Sequence, residues 1–168
     1  MLLQPKSEEL YIYEGEIKSN KIASFDLDWT LVGSNNKFPR NQDDWTFLRN
    51  RIATLKKYQN DYTLVIFTNQ GYKGERLNMA LNRINNILKY LIENNIKPWV
   101  FVATGKDSSY RKPNIKMWEE LSKYIKDIDN SKSFYTGDAA GRLNDFDDID
   151  IKFAKNVKIK FYTPEEIF

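Results

Sequence analysis

Cysteine and histidine are both absent from this chain of 168 residues. Their absence removes disulfides, thiolate nucleophiles, Cys/His zinc sites, Ser-His-Asp triads and histidine general bases together. Any catalysis must come from carboxylates, hydroxyls, lysine, arginine or a hard metal held by oxygen. Magnesium suits carboxylate and water ligands best. No apolar run is long enough to span a bilayer, and the start Met1-Leu2-Leu3-Gln4-Pro5-Lys6 turns polar too soon for a signal peptide. A soluble intracellular protein, in nucleus, cytoplasm or virus factory, with no membrane partner is expected. Neither sign of charge dominates: the formal net charge of +3 permits a polyanionic partner without demanding one.

What is present fits one domain over residues 1–168, with 41% hydrophobic residues to build a sizeable core. Five short apolar segments read as buried strands: Ile22–Asp26, Thr63–Thr68, Trp99–Ala103, Ser133–Thr136 and Val157–Phe161. Leu10–Tyr13 is a candidate edge strand or hairpin. Helical spacing links Trp45, Leu48, Ile52 and Leu55, then Leu77, Leu81, Ile84, Leu88 and Leu91 within Gly74–Asn94. Pro113 reads as the first residue of a third helix through Met117, Trp118 and Leu121. Asp145 and Asp148 read as a helix start leading to Phe153 and Ala154, or Asp145 as support behind a metal site. The alternation predicts a Rossmann-like three-layer α/β/α sandwich around a mainly parallel five-stranded sheet, with no large cap domain. Ligands in such folds sit beyond the carboxyl ends of the strands.

Four polar pieces fall at those ends. Phe25-Asp26-Leu27-Asp28-Trp29-Thr30 follows the first strand, and Phe67-Thr68-Asn69-Gln70-Gly71 the second. Tyr110-Arg111-Lys112-Pro113 comes after the third, and Gly137-Asp138-Ala139-Ala140-Gly141-Arg142 after the fourth. A buried strand has no reason to end in two carboxylates unless their charge is compensated. Together the pieces suit phosphoryl transfer, where charge neutralisation and in-line positioning matter most. Asp26 can attack phosphorus. Asp28 can protonate the leaving oxygen and then deprotonate water. Asp26 and Asp138 can hold Mg²⁺. Thr68 offers a hydroxyl, and Lys112 a positive charge opposite Asp26.

This set resembles the haloacid-dehalogenase superfamily of aspartate-nucleophile phosphatases. More narrowly, it resembles the 3′-phosphatase domain of the polynucleotide kinase 3′-phosphatase family. The narrower likeness rests on FDLDWTLV, FPRNQDDW (Phe38–Trp45), VIFTNQG (Val65–Gly71), YRKP, YTGDAAGR (Tyr135–Arg142) and TPEEIF (Thr163–Phe168). It implies Asp26 as nucleophile and Asp28 as acid/base, with an aspartyl-phosphate intermediate. It implies Asp26, Asp138 and the Asp28 backbone carbonyl as magnesium ligands. Thr68 and Lys112 would bind phosphate, and the expected substrate-binding set is Thr68, Asn69, Arg111, Lys112 and Trp29. Many relatives carry glycine where Trp29 stands. Its ring either stacks on a terminal base or sugar, or packs against the loop near Gly33–Phe38.

No GxxxxGKS/T loop occurs, so no 5′-kinase activity is expected from this chain, and a separate kinase or ligase would act beside it. The intervals Asp28–Thr68 and Thr68–Lys112 each hold one helix and one strand, too little for a lid domain. An unlidded site stays open and admits a polymer end. Lys37, Arg40, Tyr72, Lys73, Arg76, Tyr110, Arg111 and Arg142 lie near the expected rim. The expected activity is a Mg²⁺-dependent polynucleotide 3′-phosphatase, monomeric, acting on 3′ ends of DNA, with RNA ends left open. Two alternatives stay open: a small-molecule phosphomonoesterase on the same scaffold, and a non-catalytic end-binding module.

Overall fold

A computed structural model describes residues 1–168. Its sheet has seven strands: β1 (Gln4–Ser7), β2 (Leu10–Tyr13), β3 (Ile22–Phe25), β6 (Thr63–Gln70), β7 (Trp99–Thr104), β8 (Phe134–Thr136) and β9 (Lys160–Tyr162). A separate two-stranded piece joins β4 (Val32–Gly33) to β5 (Thr46–Phe47). The order in the main sheet is β1-β2-β7-β6-β3-β8-β9. Strands β7, β6, β3, β8 and β9 run parallel, which is the expected five-stranded core. The first hairpin adds two antiparallel strands at its edge, with Ile12 opposite Phe101.

Side chains alternate across the sheet, so one strand feeds two cores. Ala23, Phe25, Leu64, Ile66, Val100 and Val102 join one apolar cluster. Ile22, Val65, Phe67, Trp99 and Phe101 join the other. Helices α1 (Arg51–Gln59) and α2 (Gly74–Glu93) cover the first face through Leu55, Leu81, Ile84, Leu88 and Leu91. Helices α3 (Lys116–Tyr124) and α4 (Ile149–Val157) cover the second through Met117, Leu121, Phe153 and Ala154. The last helix, α5 (Pro164–Ile167), starts with a Thr163–Glu166 capping box and brings Phe168 against Phe25. No helix is long and apolar enough to cross a membrane.

Three sequence-based boundaries move. The Trp45–Leu55 spacing is not one helix. Thr46 and Phe47 pair with β4, and Trp45 packs edge-on to Phe47 and Tyr90. The helix starts only at Arg51, after Asn50 at φ 66°. Pro113 does not open α3, which begins at Lys116, because the backbone at Lys112 is held by the Asn69 side chain. Val157 ends α4, with Lys158 in the left-handed region at φ 70°, and the last strand is Lys160–Tyr162.

The topology positions the site. The chain runs from β3 out to β6 and β7, then returns to β8 on the other side of β3. The crevice at such a reversal lies at the carboxyl end of the central strand. Asp26 directly follows β3, and Asp138 lies two residues beyond β8.

Candidate active site

Asp26 leaves the sheet with its N–H bonded to the Thr136 carbonyl at 2.9 Å. The chain then coils tightly. The Leu27 carbonyl accepts the N–H groups of Thr30, Leu31 and Val32, and Trp29 takes φ 63°. That coil turns Thr30 back toward the strand end. Its hydroxyl accepts the Asp138 N–H at 3.0 Å, and faces Asp138 Oδ1 at 3.2 Å and Asp26 Oδ2 at 3.5 Å. One buried threonine thus locks two carboxylates into one corner.

Lys112 approaches Asp26 from the α3–α4 face. Its Nζ lies 3.0 Å from Asp26 Oδ1, 3.0 Å from Asp150 Oδ1 and 2.6 Å from the Tyr135 hydroxyl. Asp150 also accepts the Tyr135 hydroxyl and the Ala139 N–H. Burial opposes the lysine's charge, but Asp150 and Asp26 outweigh it and raise its pKa. Burial, then Asp150, drives the Asp26 carboxyl well above the usual carboxylate range, with Lys112 opposing. Asp138 is raised as well, chiefly by burial. Burial and Asp150 push the Tyr135 hydroxyl well above the ordinary phenol value.

Three carboxylates, Asp26, Asp138 and Asp150, present oxygens within 4.8 Å of one another. They face a single ammonium, so the corner carries excess negative charge. The donor set is hard oxygen, which fits magnesium. Asp26 and Asp138 have oxygens to offer. Asp150 is already engaged by Lys112, Tyr135 and Ala139, so it holds the lysine. The Asp28 carbonyl accepts no backbone hydrogen bond.

Asp28 is reached from the opposite face. Its Oδ1 lies 2.8 Å from Arg83 Nη1 of α2, and its Oδ2 accepts Gln70 Nε2 at 3.0 Å. Gln70 also donates to Thr68 Oγ1 at 3.0 Å.

Asp26, Asp28, Trp29, Thr68, Asn69, Arg111 and Asp138 line one cleft of about 210 Å³. Lys112 lies beneath it, in contact with Asp26. The Asn69 amide donates to the Lys112 carbonyl and accepts the Lys112 N–H, so it holds the backbone that carries the lysine. It also lines the cleft, with one amide hydrogen left over for a ligand. Arg111 lines the cleft and an adjoining pocket of about 460 Å³ that also holds Phe38, Tyr72, Arg76 and Lys106. A Cβ at Gly71 would stand 2.9 Å from Arg111 Nη1, so any side chain there would push the guanidinium aside. Trp29 packs its ring over Gly33 and donates Nε1 to the Lys37 carbonyl at 3.3 Å, so the loop-packing reading describes it, although 41% of it stays exposed.

Two rim expectations change. Arg142 is paired with Asp145 and Glu165, both at 2.8 Å, and is not free for a ligand. Asp145 caps the loop after Asp138 by accepting the Ala140 and Arg142 N–H groups, so it is no helix cap. Asp148 occupies the N-cap of α4 without a side-chain cap bond.

The sequence reading missed Thr30, Gln70, Arg83, Tyr135 and Asp150 as site residues. Thr30, Gln70 and Tyr135 stood inside recognised motifs. Asp150 ended an acidic run read as a helix start. Arg83 carried no signal, since nothing in its spacing separates it from a surface arginine.

A family model described as polynucleotide kinase 3 phosphatase matches residues 21–168. An uncharacterised 20.8 kDa protein of Autographa californica nuclear polyhedrosis virus is 40% identical over 98% of this chain and 94% of its own length. Polynucleotide 3′-phosphatase ZDP of Arabidopsis thaliana is 36% identical over 92% of the chain. The bifunctional polynucleotide phosphatase/kinase of Schizosaccharomyces pombe is 37% identical over 96%. The chain spans only 25% and 41% of those two proteins. Among solved structures, D,D-heptose 1,7-bisphosphate phosphatase from B. bronchiseptica, complexed with magnesium and phosphate, superposes with TM-score 0.65. It is 18% identical and covers 85% of this chain and 78% of its own, a likeness of fold alone.

Proposed function

The chain belongs to the polynucleotide kinase 3 phosphatase family, and from that premise we propose that it is a phosphoric monoester hydrolase that removes 3′-phosphates from nucleic-acid ends. One observation carries the reading. Asp26, at the sheet's reversal point, is bonded to a buried lysine and linked through Thr30 to Asp138, in an open cleft that continues into a basic, aromatic pocket.

The Asp26 carboxylate attacks phosphorus as the bond to the 3′ oxygen breaks, giving an aspartyl phosphate. Asp28 hands its proton to the departing oxygen. It then takes a proton from the water that releases inorganic phosphate, which restores both residues. Lys112, fixed by Asp150 and Tyr135, neutralises the incoming phosphoryl group, and Thr68 lies beside it. Asp26, Asp138 and the Asp28 carbonyl would hold Mg²⁺, which would supply further charge neutralisation at the phosphate. Every group in this scheme falls between Asp26 and Asp150, which supports one domain over residues 1–168.

The substrate class follows from the mouth. Arg111, Arg76 and Lys106 with Tyr72 and Phe38 suit a single-stranded phosphate backbone and its bases. DNA 3′ ends are the proposed substrate, with RNA ends as the comparison, and a separate kinase or ligase would follow. The test is phosphate release from 3′-phosphate DNA, 3′-phosphate RNA, 5′-phosphate DNA and a sugar phosphate, with and without EDTA. Release from 3′ ends that stops in EDTA and in Asp26→Asn is expected. Faster turnover of the sugar phosphate would refute the polymer reading, and full activity of Asp26→Asn the mechanism.

A further inference from the structure

Arg83 is a buried arginine on a helix whose other buried positions are almost all apolar. It makes two directed bonds. Nη1 reaches Asp28 Oδ1 at 2.8 Å, and Nε reaches the Asp44 carbonyl at 2.8 Å. Its third nitrogen, Nη2, is buried and has no partner in the chain.

Stability gives no good account of this arrangement. A buried ion pair seldom exceeds the apolar packing that could replace it, because desolvation offsets the attraction. An unused buried donor adds a further cost. The pair is also lopsided, with side-chain exposures of 2% for Arg83 and 29% for Asp28. Removing the arginine would leave Asp28 partly hydrated and not stranded.

The geometry is directional instead. With Gln70 on Oδ2 and Arg83 on Oδ1, both oxygens of Asp28 are held, which fixes the plane of the carboxylate. The Asp44 contact extends that anchor. Asp44 Oδ1 accepts the Asn35 N–H at 2.7 Å, and this closes the flap that carries Lys37 and Phe38 to the cleft mouth. The same guanidinium therefore grips the acid/base carboxylate and the base of the flap. A lysine has a point charge and no fork, and cannot make both contacts in these directions.

We propose that Arg83 is a positioning residue that fixes Asp28 for its two proton transfers and ties it to the 34–44 flap. It acts through Asp28 and does not touch the substrate. The inference rests on the reading of Asp28 as acid/base in a phosphatase.

The experiment uses two substrates and five proteins. The substrates are a 3′-phosphate oligonucleotide and a dinitrophenyl phosphate, whose leaving group departs without a proton. The proteins are the parent, Arg83→Met, Arg83→Lys, Asp28→Asn and the double variant of Arg83→Met with Asp28→Asn. In Arg83→Met the first-turnover release of dinitrophenol should stay within about threefold of the parent. Steady turnover should fall about 100-fold, since the second step still needs a well-placed base. With the oligonucleotide, first turnover should fall as well. In the Asp28→Asn background, Arg83→Met should cost less than about twofold further, the signature of one residue working through another. Arg83→Lys should fall between parent and Arg83→Met.

Equal losses in first and steady turnover of dinitrophenyl phosphate would overturn the proposal. So would the same loss with and without Asp28, either result marking a purely structural arginine. Failure of Arg83→Met to fold also counts against it, because apolar bulk should replace a pair that adds little stability. Undiminished turnover in Asp28→Asn would instead sink the phosphatase reading of Asp28. Loss in Asp28→Asn with silent Arg83 variants would sink Arg83 alone.

Discussion

Two aspartates, two residues apart, are each met by one buried cation, and the cations come from opposite faces of the sheet. Lys112 reaches Asp26 from the side of α3 and α4, and Arg83 reaches Asp28 from α2. The environments differ sharply. The Asp26 corner is largely buried and holds three carboxylates against one ammonium, so its carboxyl is driven well above the ordinary range. Asp28 faces the cleft with 29% of its side chain exposed and two donors that pin it. One carboxylate is held in electrostatic tension, and its neighbour in geometric order. The contrast suits the proposed roles: a nucleophile beside a metal tolerates the first condition, whereas a group that must give and take protons needs the second.

The largest effect should come from relieving the tension. Asp26→Asn is expected to lower phosphate release by on the order of 10⁴-fold or more, since the attacking group is gone. The same change should raise the melting temperature of the metal-free protein by about 2–4 °C, on the scale of 1 kcal/mol for a domain of this size. Lys112 keeps Asp150 and Tyr135, so no buried charge is abandoned. The pH dependence follows in sign. A carboxyl whose pKa is raised by folding weakens the fold when ionised, so its cost is full above the folded pKa and fades as pH falls toward the unfolded value. In EDTA the gap between parent and Asp26→Asn should therefore narrow from pH 7 to pH 5. Scanning calorimetry at several pH values checks this, and a constant gap would break the contrast between the two aspartates. Mg²⁺ should stabilise the parent and leave Asp138→Asn unmoved.

A middle-sized effect should follow from disturbing what holds Lys112. Asp150→Asn keeps the shape and removes the charge that balances the lysine. Turnover should fall about 10–100-fold, with the oligonucleotide KM rising less than tenfold. Tyr135→Phe removes two hydrogen bonds, the one accepted from the lysine at 2.6 Å and the one donated to Asp150 at 2.8 Å, and leaves both carboxylates in place. It should cost about 3–10-fold in turnover. If Tyr135→Phe proves the worse of the two, charge balance is not what sets the lysine.

The contrast also explains what could be read from the sequence. The first four parallel strands and α2 were legible because continuous apolar runs and a 3.6-residue stripe leave little choice, whereas the half-exposed fifth strand was started too early, at the Val157 that ends α4. Asp26, Thr68, Lys112 and Asp138 could be placed together because the first two end expected strands and the other two sit inside short motifs that follow expected strands. Arg83 was not, since a charged residue in a polar-looking stretch of helix gives no sign that tertiary packing will bury it. Trp45 and Leu48 were misplaced for a related reason. Their spacing is helical, but the β4–β5 pairing and the aromatic contact with Tyr90 override it. Asn69 was placed at the cleft, but its bonds to the Lys112 backbone were not legible, because a motif marks position and not the direction of a hydrogen bond.

The smallest effect should come from Trp29, which sits between the two aspartates' territories and belongs to neither. At φ 63° its backbone lies in the left-handed region, where a bulky residue is strained. Trp29→Gly would relieve about 1 kcal/mol of that strain and lose a comparable amount of packing over Gly33, together with the bond to the Lys37 carbonyl. The two nearly cancel, so the melting temperature should shift by less than about 3 °C. Turnover should change less than about threefold if the ring only props the flap. The informative quantity is the oligonucleotide KM measured against that of dinitrophenyl phosphate. Loss of a base-stacking contact would raise the first by about 5–100-fold and leave the second alone. A parallel shift in both would mean that the ring works through the flap, and that substrate contact at the mouth is left to Phe38, Tyr72 and Arg111.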